Sequence, residues 1–166
     1  MNPERIAEHI PRLRRYARAL AGDQHAADDL VQDTLERAIN KRHLWRPDSD
    51  LRAWLFAIMH NVFVNQLRSR QAHPEDALDD DALPAVAPTD GARLEIRDLQ
   101  TALALLPPQQ REVVLLVGLE QLTYAEASHT LGIPIGTVMS RLFRGRERLR
   151  LLVTGAPPVP ALKIVK

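Results

Sequence analysis

The chain lacks cysteine, has few aromatic residues and contains no long apolar segment. With no cysteine among its 166 residues, it has no disulfide framework, no thiolate metal ligand and no thiol redox switch. Aromatic residues make up only 4% of the sequence, which fits small helical bundles. No run approaches the roughly 20 apolar residues that a membrane-spanning helix needs, and the charged N-terminus has no apolar signal region. These absences predict a cytoplasmic protein without membrane insertion.

Sequence signatures of catalysis are missing as well. The six histidines show no H-x-x-x-H spacing and no metal-type clustering with acidic residues. There is no phosphate-binding loop and no nucleophile elbow. The sequence therefore predicts a protein that is not an enzyme and that uses no metal and no cofactor.

Helical periodicity is present in two segments, which are separated by a stretch of different composition. Residues 73–95 lose all periodicity, contain three prolines and hold seven acidic residues against one arginine. Prolines and like charges keep such a segment extended, so we predict a flexible acidic linker. The 45% hydrophobic content allows the chain to bury two small helical cores. We predict an all-α protein with two small helical domains, residues 1–72 and 96–155, followed by a frayed tail at 156–166.

The C-terminal segment has the pattern of two short helices joined by a tight turn. Thr123 and Glu126 form a T-x-x-E capping box, which predicts that a helix begins near Thr123. Gly132 accepts the left-handed backbone that ends a helix, and Pro134 suits the start of the next one. This helix-turn-helix pattern predicts DNA binding, with the second helix in the major groove.

The second helix of this pair has two different faces. At 100° per residue, the predicted docking face carries Ile135, Val138, Leu142, Gly145 and Leu149. The predicted outward face carries Gly136, Ser140, Phe143, Arg144 and Glu147. Five arginines between residues 137 and 150 stand against one glutamate, which favours phosphate binding over an ordinary solvated face. Phe143 is either a second packing contact or an apolar partner for a thymine methyl group.

Helical patterns also fill the N-terminal segment. The first is broken by Pro11, which is expected to begin a new helix. In residues 27–39, the predicted buried stripe is Leu30, Val31, Thr34, Leu35, Ala38 and Ile39. The opposite face is acidic, and charge alone favours an ordinary solvated surface there. The longest pattern begins after a polar loop that ends in Asp50, and its stripe is Leu51, Leu55, Ile58 and Val62.

Two pairs of side chains near this longest helix have more than one interpretation. Asn61 and Asn65 lie one turn apart and present two amides side by side, which either contact base edges or satisfy backbone groups. Trp45 and Trp54 are the only tryptophans. Either is a candidate core residue, and Trp54 is favoured because it lies at the start of a buried helix.

Together these segments resemble the extracytoplasmic-function (ECF) group of sigma factors. LPPQQREVVLL at 106–116, LTYAEA after it and GTVMSRLFRGRERLR at 136–150 resemble sigma region 4. ADDLVQDTLERAI at 27–39 resembles region 2.2, and WLFAIMHNVFVNQLRSR at 54–70 resembles regions 2.3 and 2.4. Both halves occur in the family's order, so the resemblance covers nearly the whole chain. It also implies that residues 106–116 form the helix ahead of the helix-turn-helix.

The resemblance implies a sigma factor that directs core RNA polymerase to promoters by reading the minus-35 and minus-10 elements and opening the duplex. The residues implied to grip the coiled coil of the polymerase's largest subunit are Asp29, Gln32, Asp33 and Glu36. The resemblance also implies contacts with the minus-10 element, and part of them comes from a loop that captures a flipped base. The implied residues are Arg46, Pro47, Asp48 and Ser49 of this loop, and Asn61, Asn65 and Arg68. Those implied at the minus-35 element are Gly136, Thr137, Met139, Ser140, Arg141, Phe143 and Arg144.

The partners implied in this way are core RNA polymerase, contacted at its largest-subunit coiled coil and its flap, promoter DNA and an anti-sigma factor. The linker is then either a solubilising spacer or a segment whose negative charge imitates a transcript in the RNA exit path. Met139 stands where relatives often have lysine or arginine, so the resemblance does not determine the phosphate affinity or the sequence preference at this position. Regulators of the LuxR output type share the L-x-x-x-x-R-E-V opening and the turn, so a stand-alone LuxR-type regulator is the alternative. A sigma-like decoy that only sequesters polymerase or an anti-sigma factor is a further one.

Overall fold

The computed structural model describes residues 2–72 and 96–155 of the chain. All regular secondary structure within these two ranges is helical, which confirms the all-α prediction. The predicted linker at 73–95 and the predicted tail at 156–166 lie outside the described residues.

The helices fall into two groups, which we call the N-lobe (2–72) and the C-lobe (96–155). The N-lobe comprises α1 (Pro3–Ala7), α2 (Ile10–Ala21), α3 (Gln24–Asn40) and α4 (Leu51–Ala72), with a 3-10 turn at Arg42–Leu44. The C-lobe comprises α5 (Ile96–Ala104), α6 (Pro108–Gly118), α7 (Tyr124–Leu131) and α8 (Ile135–Thr154).

The boundaries of the first N-lobe helices follow from local chemistry. Pro11 lies in the first turn of α2, as predicted, where its missing N–H leaves no helical hydrogen bond unmade. Gly22 ends α2 in the left-handed conformation, with φ of 73°. The Asp23 carboxylate accepts a hydrogen bond from the Ala26 amide at 2.9 Å and so caps α3. This tight junction allows α2 and α3 to pack side by side.

The helix-turn-helix forms as the sequence predicts. Thr123 Oγ1 accepts from the Glu126 amide at 3.1 Å, and the Glu126 carboxylate accepts from the Thr123 amide at 2.8 Å. Gly132 then ends α7 with φ of 64°, and Pro134 occupies the N-cap of α8. Each boundary is determined by residues within four positions of it, which is why the pattern is visible in the sequence.

The helix ahead of this motif is shifted from its predicted range. It was expected at 106–116, but α6 begins at Pro108 and ends at Gly118. A residue that precedes proline avoids the helical conformation, so Pro107 stays extended with ψ of 141° and Pro108 becomes the first helical residue.

The predicted core stripes of α3 and α4 are buried except at two residues of α3, since Leu35 is only partly buried and Ile39 is exposed. Leu51, Leu55, Ile58 and Val62 of α4 all lie in the core. Ile39, predicted to be buried, is instead 43% exposed. Ala38 fills the core position in the last turn of α3, and Ile39, one step of 100° further round the helix, faces outward.

The more deeply buried tryptophan is Trp45, although Trp54 was the favoured core candidate. Trp45, at the end of the 3-10 turn, is only 8% exposed, and the Arg5 guanidinium lies 5.1 Å from its ring centroid. Trp54, the favoured core candidate, is only partly buried and packs at the edge of the core. Helical position alone did not predict this, because the chain that folds back over Trp45 is α1, about 40 residues earlier.

The two lobes pack against each other. Helix α2 contacts α5 and α6, and α4 contacts α7. The buried side chains of both lobes form one continuous cluster, in place of the two separate cores that were expected. Within the N-lobe part of this cluster, Tyr16 and Phe56 pack edge to face with ring centroids 4.9 Å apart.

Candidate nucleic-acid interface

The outward face of α8 is a mixed surface of small, polar, basic and apolar groups. Gly136, Met139, Ser140, Phe143 and Arg144 are exposed, whereas Thr137 and Arg141 are partly buried. Phe143 is 68% exposed, so it is not a packing contact within the described residues. Such a surface offers both hydrogen-bonding groups and an apolar group to the edges of base pairs.

Two residues of α8 differ from the predicted division of faces. Ile135, expected on the docking face, is 48% exposed. It is the first residue of the helix and lies beyond its packed part, which begins at Val138. Glu147, expected to face outward, is partly buried and lies 3.4 Å from Arg150 of the same helix. The apolar surface at the start of α8 is therefore larger than the sequence indicated.

A close approach of α6 and α8 determines the orientation of α8 and therefore which of its faces is exposed. Val138, Leu142 and Gly145 are the buried residues of the helix. A Cβ atom added to Gly145 would lie 2.7 Å from Val114 Cγ2. The sequence placed Gly145 on the docking face, but only the structure shows that hydrogen is the one side chain that fits without a shift.

The second candidate surface combines one face of α4 with the loop before it. Asn61, Asn65 and Arg68 are exposed along α4. The residues of the loop, Arg46, Pro47, Asp48 and Ser49, are exposed too. Ser49 closes this loop by donating from its amide (3.0 Å) and its hydroxyl (2.7 Å) to the Arg46 carbonyl. Trp45, which precedes the loop, is buried and anchors it to the core, so its ring does not offer an exposed face on which a base could stack.

The third candidate surface is the acidic face of α3. Asp29, Gln32 and Glu36 are exposed, whereas Asp33 is partly buried and accepts a hydrogen bond from Gln66 Nε2 at 3.1 Å. The exposed Ile39 lies one turn beyond Glu36 on the same side. With Leu35 it lines a groove of about 770 Å³ between α2 and α3. Sequence periodicity missed this apolar part of the surface because it assigned both side chains to the core.

An arginine cluster on the N-lobe surrounds one carboxylate of the C-lobe. Glu120 is only 2% exposed. Its carboxylate lies 3.1 Å from Arg15 Nη2 and 3.3 Å from Arg12 Nε. Arg52 Nη1 donates to the Glu120 carbonyl at 3.2 Å. The next residue, Gln121, has φ of 56°, a left-handed conformation that costs a non-glycine residue about 1–2 kcal/mol.

A second acidic side chain of the C-lobe is also buried against the N-lobe. The Glu112 carboxylate of α6 lies 2.7 Å from His60 Nδ1 of α4. Burial, together with the nearby carboxylates of Glu112 and Glu120, raises the pKa of Tyr16 well above its usual value. Tyr16 is therefore a neutral phenol throughout the physiological range.

Arg111, in the first turn of α6, joins the C-terminal ends of α2 and α5 with one guanidinium group. It donates to the carbonyls of Leu103 and Ala104 at 2.8 Å, of Leu106 at 2.9 Å and of Leu20 at 2.7 Å. The carbonyls at helix C-termini lack partners within their own helix and carry partial negative charge, so a cation satisfies them well. Burial lowers the pKa of Arg111, but a guanidinium remains charged in proteins.

Within 2–72 and 96–155, no group of three or more histidine, cysteine or acidic residues is arranged to hold a metal ion. Among the helices of these ranges, none is long and apolar enough to cross a membrane.

Comparison with known proteins identifies both lobes. Residues 6–60 match the family model described as the Sigma2 domain of PhyR, and residues 96–149 match Sigma-70, region 4. The ECF RNA polymerase sigma factor EcfG of Rhodopseudomonas palustris is 39% identical over 149 residues, which cover 89% of this chain and 82% of that protein. The factor SigE of Mycolicibacterium smegmatis is 39% identical over 157 residues, which cover 89% of this chain and 59% of that protein.

Solved structures agree with these relatives. The sigma factor RpoE of Bartonella quintana, in complex with the anti-sigma factor NepR, superposes with a TM-score of 0.78 at 35% identity, covering 93% of this chain and 97% of that one. CnrH, in complex with the cytosolic domain of CnrY, superposes with a TM-score of 0.67 at 26% identity, covering 93% and 88%. A Sigma2 match ahead of region 4 decides between the resemblance to sigma factors and the LuxR-type alternative. The chain belongs to the ECF sigma factors of RNA polymerase.

Proposed function

We propose that this chain directs core RNA polymerase to promoters by reading the minus-35 and minus-10 elements and by opening the duplex, without catalysing a reaction itself. The observation that supports this most strongly is the pair of exposed surfaces on α8 and α4, one in each lobe of a chain that matches sigma regions 2 and 4 in order. The proposed units are residues 1–72 for region 2, 73–95 for the linker, 96–155 for region 4 and 156–166 for the tail.

For the minus-35 element, α8 would enter the major groove with its first three turns. Gly136 and Thr137 would let the backbone approach phosphates near the start of the helix, where the amide groups and the helix dipole favour anions. Ser140 and Arg144 offer hydrogen bonds to base edges, and Arg141 offers one to a phosphate. Phe143 and Met139 are exposed apolar groups that suit thymine methyl groups.

For the minus-10 element, the exposed amides of Asn61 and Asn65 would contact bases, and Arg68 a phosphate. Opening a duplex without a fuel molecule requires the protein to bind the unpaired strand better than the paired one. The loop residues Arg46, Pro47, Asp48 and Ser49 would supply the pocket for an extruded base. The hydrogen bonds of Ser49 to Arg46 keep that loop compact, which lowers the entropy lost on binding.

For polymerase, Asp29, Gln32, Asp33 and Glu36 of α3 would grip the coiled coil of the largest subunit, and the C-lobe would contact the flap. The exposed Ile39 would add an apolar contact beside these polar groups. The structure of RpoE was solved in complex with the anti-sigma factor NepR, and that of CnrH in complex with the cytosolic domain of CnrY. An anti-sigma factor is accordingly a further proposed partner, and the proposed location is the cytoplasm, where polymerase works.

In-vitro transcription with purified core polymerase tests this function. The template is a DNA library in which two hexamers upstream of a fixed start are randomised, and the transcribed molecules are sequenced. We expect enrichment of one pair of hexamers at a fixed spacing, only when the chain is added. A chain that binds core polymerase without yielding any enriched template would be a decoy, and this would overturn the proposal.

A further inference from the structure

The short helix α1 carries an arginine that lies beside the loop proposed to capture a base. Asn2 Oδ1 accepts a hydrogen bond from the Glu4 amide at 3.2 Å and caps the helix, and the buried Ile6 anchors it to the core. Arg5, between them in the sequence, is exposed. Its guanidinium lies over the ring of Trp45, with Cζ 5.1 Å from the ring centroid. Contacts on either side of Arg5 therefore keep this side chain beside Trp45.

The contact joins α1 to the residue that immediately precedes the loop at 46–49. Trp45 is only 8% exposed, and its Nε1 donor has no hydrogen-bond partner within residues 2–72 and 96–155. The ring is therefore held by packing and by the Arg5 guanidinium, because the negative face of an indole attracts a cation. Arg5 and Trp45 together form one edge of the proposed base pocket.

A guanidinium group is planar, so a contact on one face leaves the other face available. Among the described residues, Arg5 forms no ion pair and no side-chain hydrogen bond that would turn this group away. Bases of single strands stack on arginine planes as they do on aromatic rings. Because Trp45 already holds the plane in place, less side-chain entropy is lost when a base stacks on it.

We propose that Arg5 is the stacking platform for the base that is extruded from the minus-10 element. The base lies between the loop at 46–49 and the outer face of the guanidinium, whose inner face rests on Trp45. This inference rests on the proposed function of the loop. It adds a DNA contact from α1, which neither the sequence pattern nor the resemblance indicated, and it requires a planar cation, which lysine does not supply.

Coupling between Arg5 and the extruded base tests this inference. The probe is a forked DNA, built on the template enriched by in-vitro selection, whose nontemplate strand is unpaired through the minus-10 element. An abasic site is placed at each unpaired position in turn, and the affinity of core polymerase loaded with the chain is measured by fluorescence anisotropy. For the native chain we expect one position at which loss of the base weakens binding about tenfold, a usual size for one stacking contact.

The variants of Arg5 should remove this dependence on the base. We expect Arg5→Ala to weaken binding of the intact fork about tenfold and to show almost no further loss with the abasic fork, because the two groups contribute through one contact. Arg5→Lys keeps the charge but lacks the plane, so it should behave like Arg5→Ala. Arg14→Ala, which removes an exposed arginine of α2 in the same lobe, is the control and should retain the full abasic penalty.

The outcomes separate this inference from the proposed function. If the native chain tolerates an abasic site at every unpaired position, no base is captured and the proposed function of the loop fails. If the native penalty exists and persists undiminished in Arg5→Ala, Arg5 only supports Trp45 or acts elsewhere, and the inference is overturned. It is also overturned if Arg5→Lys matches the native chain, because a contact with a phosphate would then explain the role of Arg5.

Discussion

At the scale of single residues, glycine has opposite meanings at two positions of α8. Gly145 faces α6, where an added Cβ would lie 2.7 Å from Val114 Cγ2 and 3.4 Å from Gln110 Cβ. Gly136 faces open space, with no heavy atom within 4 Å of such a Cβ. The first glycine allows two helices to approach, whereas the second lies on the surface that is proposed to contact DNA.

Gly145→Ala is therefore expected to destabilise the chain by about 1–3 kcal/mol, the usual cost of overpacking a tight contact. Chemical denaturation followed by circular dichroism measures this change. Gly136→Ala is the matched control, because alanine favours a helix and no clash opposes it. If both variants had the same midpoint of unfolding, the close approach of α6 and α8 would not be the reason for glycine at 145.

Arg144 is the residue whose loss should affect DNA recognition most specifically. Its side chain is exposed on the outward face of α8, and a bidentate contact of arginine with guanine contributes about 1–3 kcal/mol of discrimination. We expect Arg144→Ala to reduce transcription from templates that carry the preferred minus-35 element and to relax the preference at one base pair. Arg146 is exposed on another side of α8, so Arg146→Ala is the control for the loss of positive charge. A uniform decrease across all templates with both variants would indicate phosphate contacts only.

At the scale of the elements, features that depend on residues close together in the sequence were predicted better than features that depend on distant residues. The capping box of Thr123 and Glu126 and the cap at Gly132 involve only near neighbours, so the helix-turn-helix was predicted correctly. Ile39 and Ile135 were assigned to the core, because periodicity identifies a face but not where the packing partner ends. The site residues taken from the resemblance remain predictions, although most of them are exposed.

Contacts between residues far apart in the chain could not be predicted from the sequence. Glu112 and Glu120 are ordinary acidic residues in a helix and at its end, and nothing near them indicates burial against Arg12 or His60. Arg111 is a similar case, since its hydrogen bond to the Leu20 carbonyl spans 91 positions. The packing of the two lobes could therefore not be predicted from patterns within either of them.

Helix α4 should serve strand opening and not polymerase binding. Asn61 is exposed on α4, whereas the proposed docking residues lie on α3. We expect Asn61→Ala to reduce permanganate reactivity of unpaired thymines in the promoter complex while leaving affinity for core polymerase unchanged. Gln71→Ala, which removes an exposed amide from the last turn of the same helix, is the control. An equal loss of opening and of core binding would contradict this division between α3 and α4.

At the scale of the whole molecule, the packing of the two lobes covers some surfaces and leaves others free. The acidic face of α3 remains accessible while the lobes are packed, because Asp29, Gln32 and Glu36 are exposed. In the proposed function, core polymerase therefore meets this face in the packed arrangement of the lobes that the structure shows.

This accessibility predicts that a chain whose lobes are joined by a disulfide still binds polymerase. A Cβ atom built on Gly22 of the N-lobe lies 3.9 Å from the Ala104 Cβ of the C-lobe, close to the mean separation in disulfides, so Gly22→Cys/Ala104→Cys provides such a chain. We expect oxidised Gly22→Cys/Ala104→Cys, labelled with a fluorophore, to bind core polymerase within about tenfold of its reduced form, since only the C-lobe contact is lost and linked sites contribute through effective concentration. Asp29→Lys in the same background should abolish this residual binding, because a like charge replaces the carboxylate in the proposed contact. If the disulfide-joined chain did not bind core polymerase at all, the exposed face of α3 would not suffice for docking, which would contradict the proposed polymerase contact.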